Sequence, residues 1–153
     1  FRAAHFSHKA SLLVILNKIN QSCGKNDQLA LGRNGICEML RDVMSDGALG
    51  VDREVMIATC NAIVNLSAGN NENQAKFGQV GMCELLCGVM RHGALGVDRE
   101  VMIATCYAIY YLSENNDEIK AIFRRLNLLE CVVRLKERVA GLSYVGRLVS
   151  CYK

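Results

Sequence analysis

Three observations predict an all-α fold, an α-solenoid of three-helix repeats with about 46 residues per repeat. The first is self-similarity: residues 47–60 read GALGVDREVMIATC, and residues 93–106 read the same letters 46 positions later. In that register residues 25–70 match residues 71–116 at 27 of 46 positions. Fourteen matches lie in the shared block, eight precede it (Gln28/Gln74 through Met44/Met90) and five follow it (Ala62/Ala108 through Asn70/Asn116). The second is composition: 13 Gly with no Pro and no Trp in 153 residues suits helices punctuated by glycine turns better than aromatic strands. The third is periodicity, because apolar residues recur at three- and four-residue steps throughout the repeated region. A unit of this kind cannot bury its apolar face alone and packs on its neighbours.

The layout is a single domain over 1–153: a partial repeat (1–24), two full repeats (25–70 and 71–116), and a divergent capping repeat (117–153). The last continues the register through Ala121, Phe123 and Glu130. Within 71–116, Asn71 with Gln74 three residues on has capping-box spacing, so a first helix is predicted over 71–79, ended by Gly81. A second helix runs from Met82 to Arg91 on Leu85, Leu86, Val89 and Met90. Gly93-Ala94-Leu95-Gly96 then breaks the pattern. Asp98 caps a third helix through Ser113, with Val101, Ala104, Thr105, Ala108, Ile109 and Leu112 facing the core. In the preceding unit the same positions are Val55, Ala58, Thr59, Ala62, Ile63 and Leu66.

At 16.9 kDa, 51% apolar and 22% charged, the chain is a packed globular protein and not a disordered one. The apolar run Leu12 to Leu16, like every other in the chain, is far short of the roughly 18 residues of a membrane span, so no membrane insertion is expected. It is also too short for a signal-peptide core and leads directly into Asn17-Lys18. The eight cysteines lie mostly within apolar helical runs, which points to core thiols in a reducing intracellular compartment, cytoplasmic or nuclear.

Ala58, Ala62-Ile63, Asn65-Leu66-Ser67, then Asn71, Asn73-Gln74, Phe77, Gly81 and Leu85-Leu86 form a pattern that resembles the armadillo repeat of importin-alpha and beta-catenin. The resemblance covers nearly the whole chain. HEAT repeats are the nearest alternative, but their usual proline is missing. The resemblance implies a right-handed solenoid acting as a scaffold or adaptor, with a concave groove lined by the third helices. At about 100° per residue, Glu54, Ile57, Asn61 and Asn65 share one stripe opposite the core, and Glu100, Ile103, Tyr107 and Tyr111 share the same stripe one repeat on. Peptide-binding members of the family typically carry Trp where this chain has Asn61 and Tyr107, and Asn where it has Asn65 and Tyr111. Only Asn65 is retained, a departure from the pattern that holds an importin-type basic peptide.

The expected function is therefore non-catalytic protein–protein interaction. An extended or helical segment of a protein or peptide partner would bond to the Asn61 and Asn65 amides, stack on Tyr107, Tyr110 or Tyr111, and rest on Ile57 and Ile103. One alternative is a structural subunit that self-associates through its repeat ends, or a fragment of a longer array, consistent with the start at Phe1. Another is an acidic partner or nucleic acid on the basic last repeat. Residues 117–153 carry eight basic and four acidic side chains, against ten and eleven in residues 1–116. Arg124, Arg125, Arg134 and Arg138 are the candidates there, with Lys136 and Arg147 nearby in sequence. No nucleic-acid motif accompanies them, so nucleic acid is the weaker of the two.

No catalytic residues, no metal, no cofactor and no small-molecule substrate are expected. The Gly47-Ala48-Leu49-Gly50 loop lacks the Lys-Ser/Thr of a phosphate cradle and follows a helix, so it reads as a turn. Asp52-Arg53-Glu54 and Asp98-Arg99-Glu100 place carboxylates where they complement a helix N-terminus. Cys83 and Cys87 sit one turn apart without any Cys-x-x-Cys, and His5, His8 and His92 have no neighbouring ligand in sequence. No Ser or Cys has a His partner that would make it a nucleophile.

Overall fold

The structure, a computed structural model, describes residues 9–22, 24–92, 95, 98–138 and 143–152. His5, His8, Cys23, the second glycine loop apart from Leu95, and the side chains of His92, Lys136 and Arg138 lie outside the described part.

Ten α-helices and no strand are present among the described residues. They are α1 (Lys9–Ser22), α2 (Lys25–Arg33), α3 (Ile36–Ser45), α4 (Arg53–Ser67), α5 (Asn71–Gln79), α6 (Met82–His92), α7 (Arg99–Ser113), α8 (Asp117–Arg125), α9 (Leu128–Arg138) and α10 (Ser143–Tyr152). Helix starts recur 46 residues apart: 25, 71 and 117 for one set, 36, 82 and 128 for the next, 53 and 99 for the third. Corresponding helices pack on one another in three rows: a first row α2–α5–α8, a second row α3–α6–α9 and a third row α1–α4–α7–α10. One continuous core runs between them, centred on Leu40, Met56, Ile63, Phe77, Leu86, Met102, Ile109 and Phe123.

The turns explain why the helices stop where they do. Gly35 and Gly81 stand in the left-handed region at φ 89° and 86°, where a Cβ would be strained, and each leads into the second helix of its unit. Forty-six residues beyond Gly81, the same turn is made by Asn127 at φ 56°. Likewise Asn115 at φ 54° stands where the previous unit has Gly69 at φ 65°. Asparagine is the side chain that best tolerates this region, so the backbone course persists into the divergent last unit.

Both third helices begin as the sequence predicts, with Asp52 accepting from the Val55 N–H at 3.1 Å and Asp98 from the Val101 N–H at 3.2 Å. The first helix differs. Its cap is Asn70, not Asn71, and the Asn70 side-chain oxygen accepts from the Asn73 N–H at 3.0 Å. Asn116 repeats this with the Ile119 N–H at 3.0 Å. Gln74 is thereby released from any capping box, and its amide turns inward. It donates to the carbonyls of Tyr111 (3.0 Å), Glu114 (3.2 Å) and Ser67 (3.3 Å). Gln28 does the same one unit earlier, to Asn65 (2.5 Å) and Ala68 (3.3 Å). The first glycine loop is the expected interhelical turn: Asp46 accepts from the Ala48 and Leu49 N–H groups at 2.9 and 2.8 Å, and Leu49 is buried.

The first-row helices approach closely because residue 32 has no side chain. A Cβ there would collide with Asn73, whose amide is held by the carbonyls of Gln28 and Leu66, both at 2.9 Å. Gly88, by contrast, has open space where its Cβ would lie in the interior of α6. Gly32→Ala is expected to destabilise the fold by about 1–3 kcal/mol. Gly88→Ala is expected to stabilise it by roughly 0.5–1 kcal/mol through helix propensity. Thermal unfolding of the two variants beside the parent checks both signs.

Candidate functional site

A third helix flanked by two others keeps only one face toward solvent. In α4, burial of Val55, Met56, Ala58, Thr59, Cys60, Ala62, Ile63, Leu66 and Ser67 covers the other sides. What remains outward is Glu54 and Asn61, exposed, with Ile57, Val64 and Asn65 half-buried. In α7 the same stripe carries exposed Glu100 with half-buried Ile103, Tyr107, Tyr110 and Tyr111. The packing of α4 against α7 brings the two stripes side by side. Tyr110 and Tyr111 meet edge to face, with ring centroids 5.2 Å apart and planes at 84°.

The two asparagines differ in what they offer. Asn65 donates both amide protons inside the chain, to the Asn20 side-chain oxygen and to the Asn61 carbonyl, each at 3.0 Å. Asn20 in turn donates to the Ala58 carbonyl at 3.3 Å, so this pair ties α1 to α4. Of the two, Asn61 is the amide that faces solvent. No pattern in the sequence points to Asn20, which precedes the full repeats.

A charged ladder runs along the start of the row. Lys9 bridges Asp52 (2.8 Å) and Glu54 (3.4 Å), and Arg53 bridges Asp98 (2.7 Å) and Glu100 (2.8 Å). Thus the acidic members of the stripe bind the preceding helix. The Val101 N–H holds the Asp98 carboxyl below the ordinary carboxylate value against slight burial, and the Arg53 guanidinium adds to it. At Asp52 burial pushes the carboxyl up, but the Lys9 ammonium and the Val55 N–H more than offset this and leave it lowered.

At the seam of α7 and α10 a cleft of about 500 Å³ opens between Tyr110, Gly146, Arg147, Ser150 and Cys151. Gly146 lines it, with nothing within 4 Å of where its Cβ would stand. In sequence Gly146 is one of two glycines in a segment that has lost the repeat pattern, and nothing singles it out.

The four candidate arginines are not one patch. Arg124 and Arg125 are exposed at the end of α8, with the Arg124 guanidinium 5.7 Å from the ring centre of Tyr152. Arg134 lies on α9 and pairs with Glu130 at 2.8 Å. Arg138 belongs to the end of α9. The thiols of Cys37, Cys60, Cys83, Cys87 and Cys106 are buried, and desolvation pushes each up to about 12, which keeps them protonated core groups. Among the described residues no three His, Cys, Asp or Glu side chains converge as a metal would need, and no helix is long and apolar enough to cross a membrane.

Comparison with protein-family models, curated proteins and solved structures returns no match.

Because the folded Asp98 titrates below its ordinary 3.8, the stability it supplies is complete above that pH and is lost as pH falls through the lower folded value. Asp98→Asn keeps a capping oxygen and removes the charge. Its unfolding midpoint should lie below that of the parent at neutral pH, and the two should converge as the solution is acidified below about 3.8. Thermal unfolding across a pH series measures the gap.

Proposed function

We propose that the chain is a non-catalytic protein-interaction module, a right-handed α-solenoid of armadillo-like repeats. Its units span 1–24, 25–70, 71–116 and 117–153. A protein partner's extended or helical segment lies along the outward face of the third helices. One observation carries this reading: α4 and α7 turn the same stripe to solvent side by side, and that stripe holds an amide, two isoleucines and three tyrosines. Tyrosine offers a large contact area and a polar tip at low entropy cost, as recognition surfaces favour. Neighbouring helices already fix α4 and α7, so binding would require little ordering of the receptor. Ile57 and Ile103 supply an apolar floor, Asn61 an amide, and Tyr107 and Tyr111 stacking surfaces; Asn65 acts through its tie to α1. The cleft beside Tyr110 extends the path toward α10. The buried, protonated thiols suit a reducing compartment inside the cell.

Peptides selected from a random display library on the parent chain provide the test. Tyr107→Ala combined with Tyr111→Ala should weaken the selected peptides by at least about tenfold, with helicity unchanged by circular dichroism. The Gln74 bond survives that change because it uses the Tyr111 backbone. Peptides that bind both chains alike would refute the stripe as the recognition face.

A further inference from the structure

The second-row helices repeat one contact until the last of them. Cys37 in α3 is fully buried, and α6 packs against that helix. In α6 the equivalent Cys83 and its neighbour one turn on, Cys87, are 0% and 1% exposed, with Cys87 beside Cys131 of α9. Forty-six residues further, α9 places Leu129 and Val133 at these two positions, and they are 38% and 47% exposed. The apolar face that receives a helix in each interior unit therefore continues to the end of the row and stands open there, with larger hydrophobes than the thiols it replaces.

The close first-row approach uses Gly32 and Gly78, and at the equivalent position the last unit carries Arg124, whose side chain extends over Tyr152. The last first helix thus carries a charged side chain where the earlier ones carry glycine, and the last second helix carries exposed hydrophobes. The charge at this end is also one-sided: residues 117–153 sum to +4 and residues 1–116 to −1. Arg124 and Arg125 are exposed just before the turn into α9, and exposed Arg134, paired one turn back with Glu130 at 2.8 Å, follows Val133 directly. Two copies of such a face would repel.

We propose that α9 is a docking face for a single acidic amphipathic helix of another protein. Its apolar side covers Leu129 and Val133 as α9 packs on α6 beside Cys87, and its Asp and Glu residues meet Arg125 and join Glu130 on Arg134. This surface is separate from the third-helix stripe.

Fluorescence anisotropy with two labelled designed helical peptides tests it. They share a leucine stripe at three- and four-residue steps and differ only in bearing Glu or Lys beside it. The Glu peptide should bind the full chain at least about tenfold more tightly than the Lys peptide, and added salt should weaken it. Leu129→Asp with Val133→Asp, both already exposed, should abolish that binding with helicity retained, whereas Tyr107→Ala with Tyr111→Ala should leave it intact. Equal affinity for the two peptides, no binding of either, or indifference to the α9 substitutions would overturn the proposal. A dimer in sedimentation velocity that those substitutions dissolve would also overturn it, by giving the face to a second copy.

Discussion

A helix ends with carbonyls that have no partner in the helix, and here two glutamine side chains supply the missing donors from a neighbouring helix. The amides of Gln28 and Gln74 reach the last turns of α4 and α7 from the first helix of the same unit. Gln74 is 1% exposed, and Asn116 donates to its remaining oxygen at 3.0 Å, so one side chain joins α5, the end of α7 and the start of α8. A buried amide left without partners costs about 1–3 kcal/mol, so this arrangement tolerates little displacement of one helix against another. The close approach at Gly32 and the Asn73 bonds fasten the first row in the same way. With the first helices fixed and the third helices tied to them, α4 and α7 repeat the same rotation about their axes.

The functional surface follows from that repetition. Identical rotation gives α4 and α7 the same outward stripe, so substitutions confined to it alter recognition and leave the core untouched. The two units differ there, Asn61 against Tyr107 and Asn65 against Tyr111, while the core positions beneath are identical in sequence. The ladder from Lys9 to Asp52 and from Arg53 to Asp98 joins neighbouring third helices at their starts, complementing the glutamine ties at their ends. Two surfaces then remain, the stripe of the third row and the open apolar end of the second.

The core and the third-helix caps were legible in the sequence because they rest on periodicity and on one polar residue at a helix start. Val55, Thr59, Ile63 and Leu66 are buried as their spacing requires, and Asp52 and Asp98 cap as predicted. The first-helix cap was misassigned by one residue. The Asn71–Gln74 spacing imitates a capping box, whereas the residue common to both units, Asn70 and Asn116, makes the bond. Asn115 and Asn127 hid the left-handed turns of the last unit, since a turn read through glycine disappears when asparagine replaces it. The engagement of Asn65 by Asn20 and the cleft at Gly146 are long-range consequences of packing, and no local pattern encodes them.

Hydrogen exchange on Gln74→Leu tests the central claim, that a side-chain amide from the first helix fixes the end of the third. The substitution removes the donor and keeps an apolar side chain of similar size. Amides at the end of α7 and the start of α8, from Tyr111 to Ile119, should exchange faster by a local opening equivalent to about 2 kcal/mol or more. Those at the end of α4, where Gln28 holds the Asn65 and Ala68 carbonyls and Gln74 reaches only that of Ser67, should change far less. Exchange at the end of α7 that stays as slow as in the parent, or rises equally in α4, would contradict the claim.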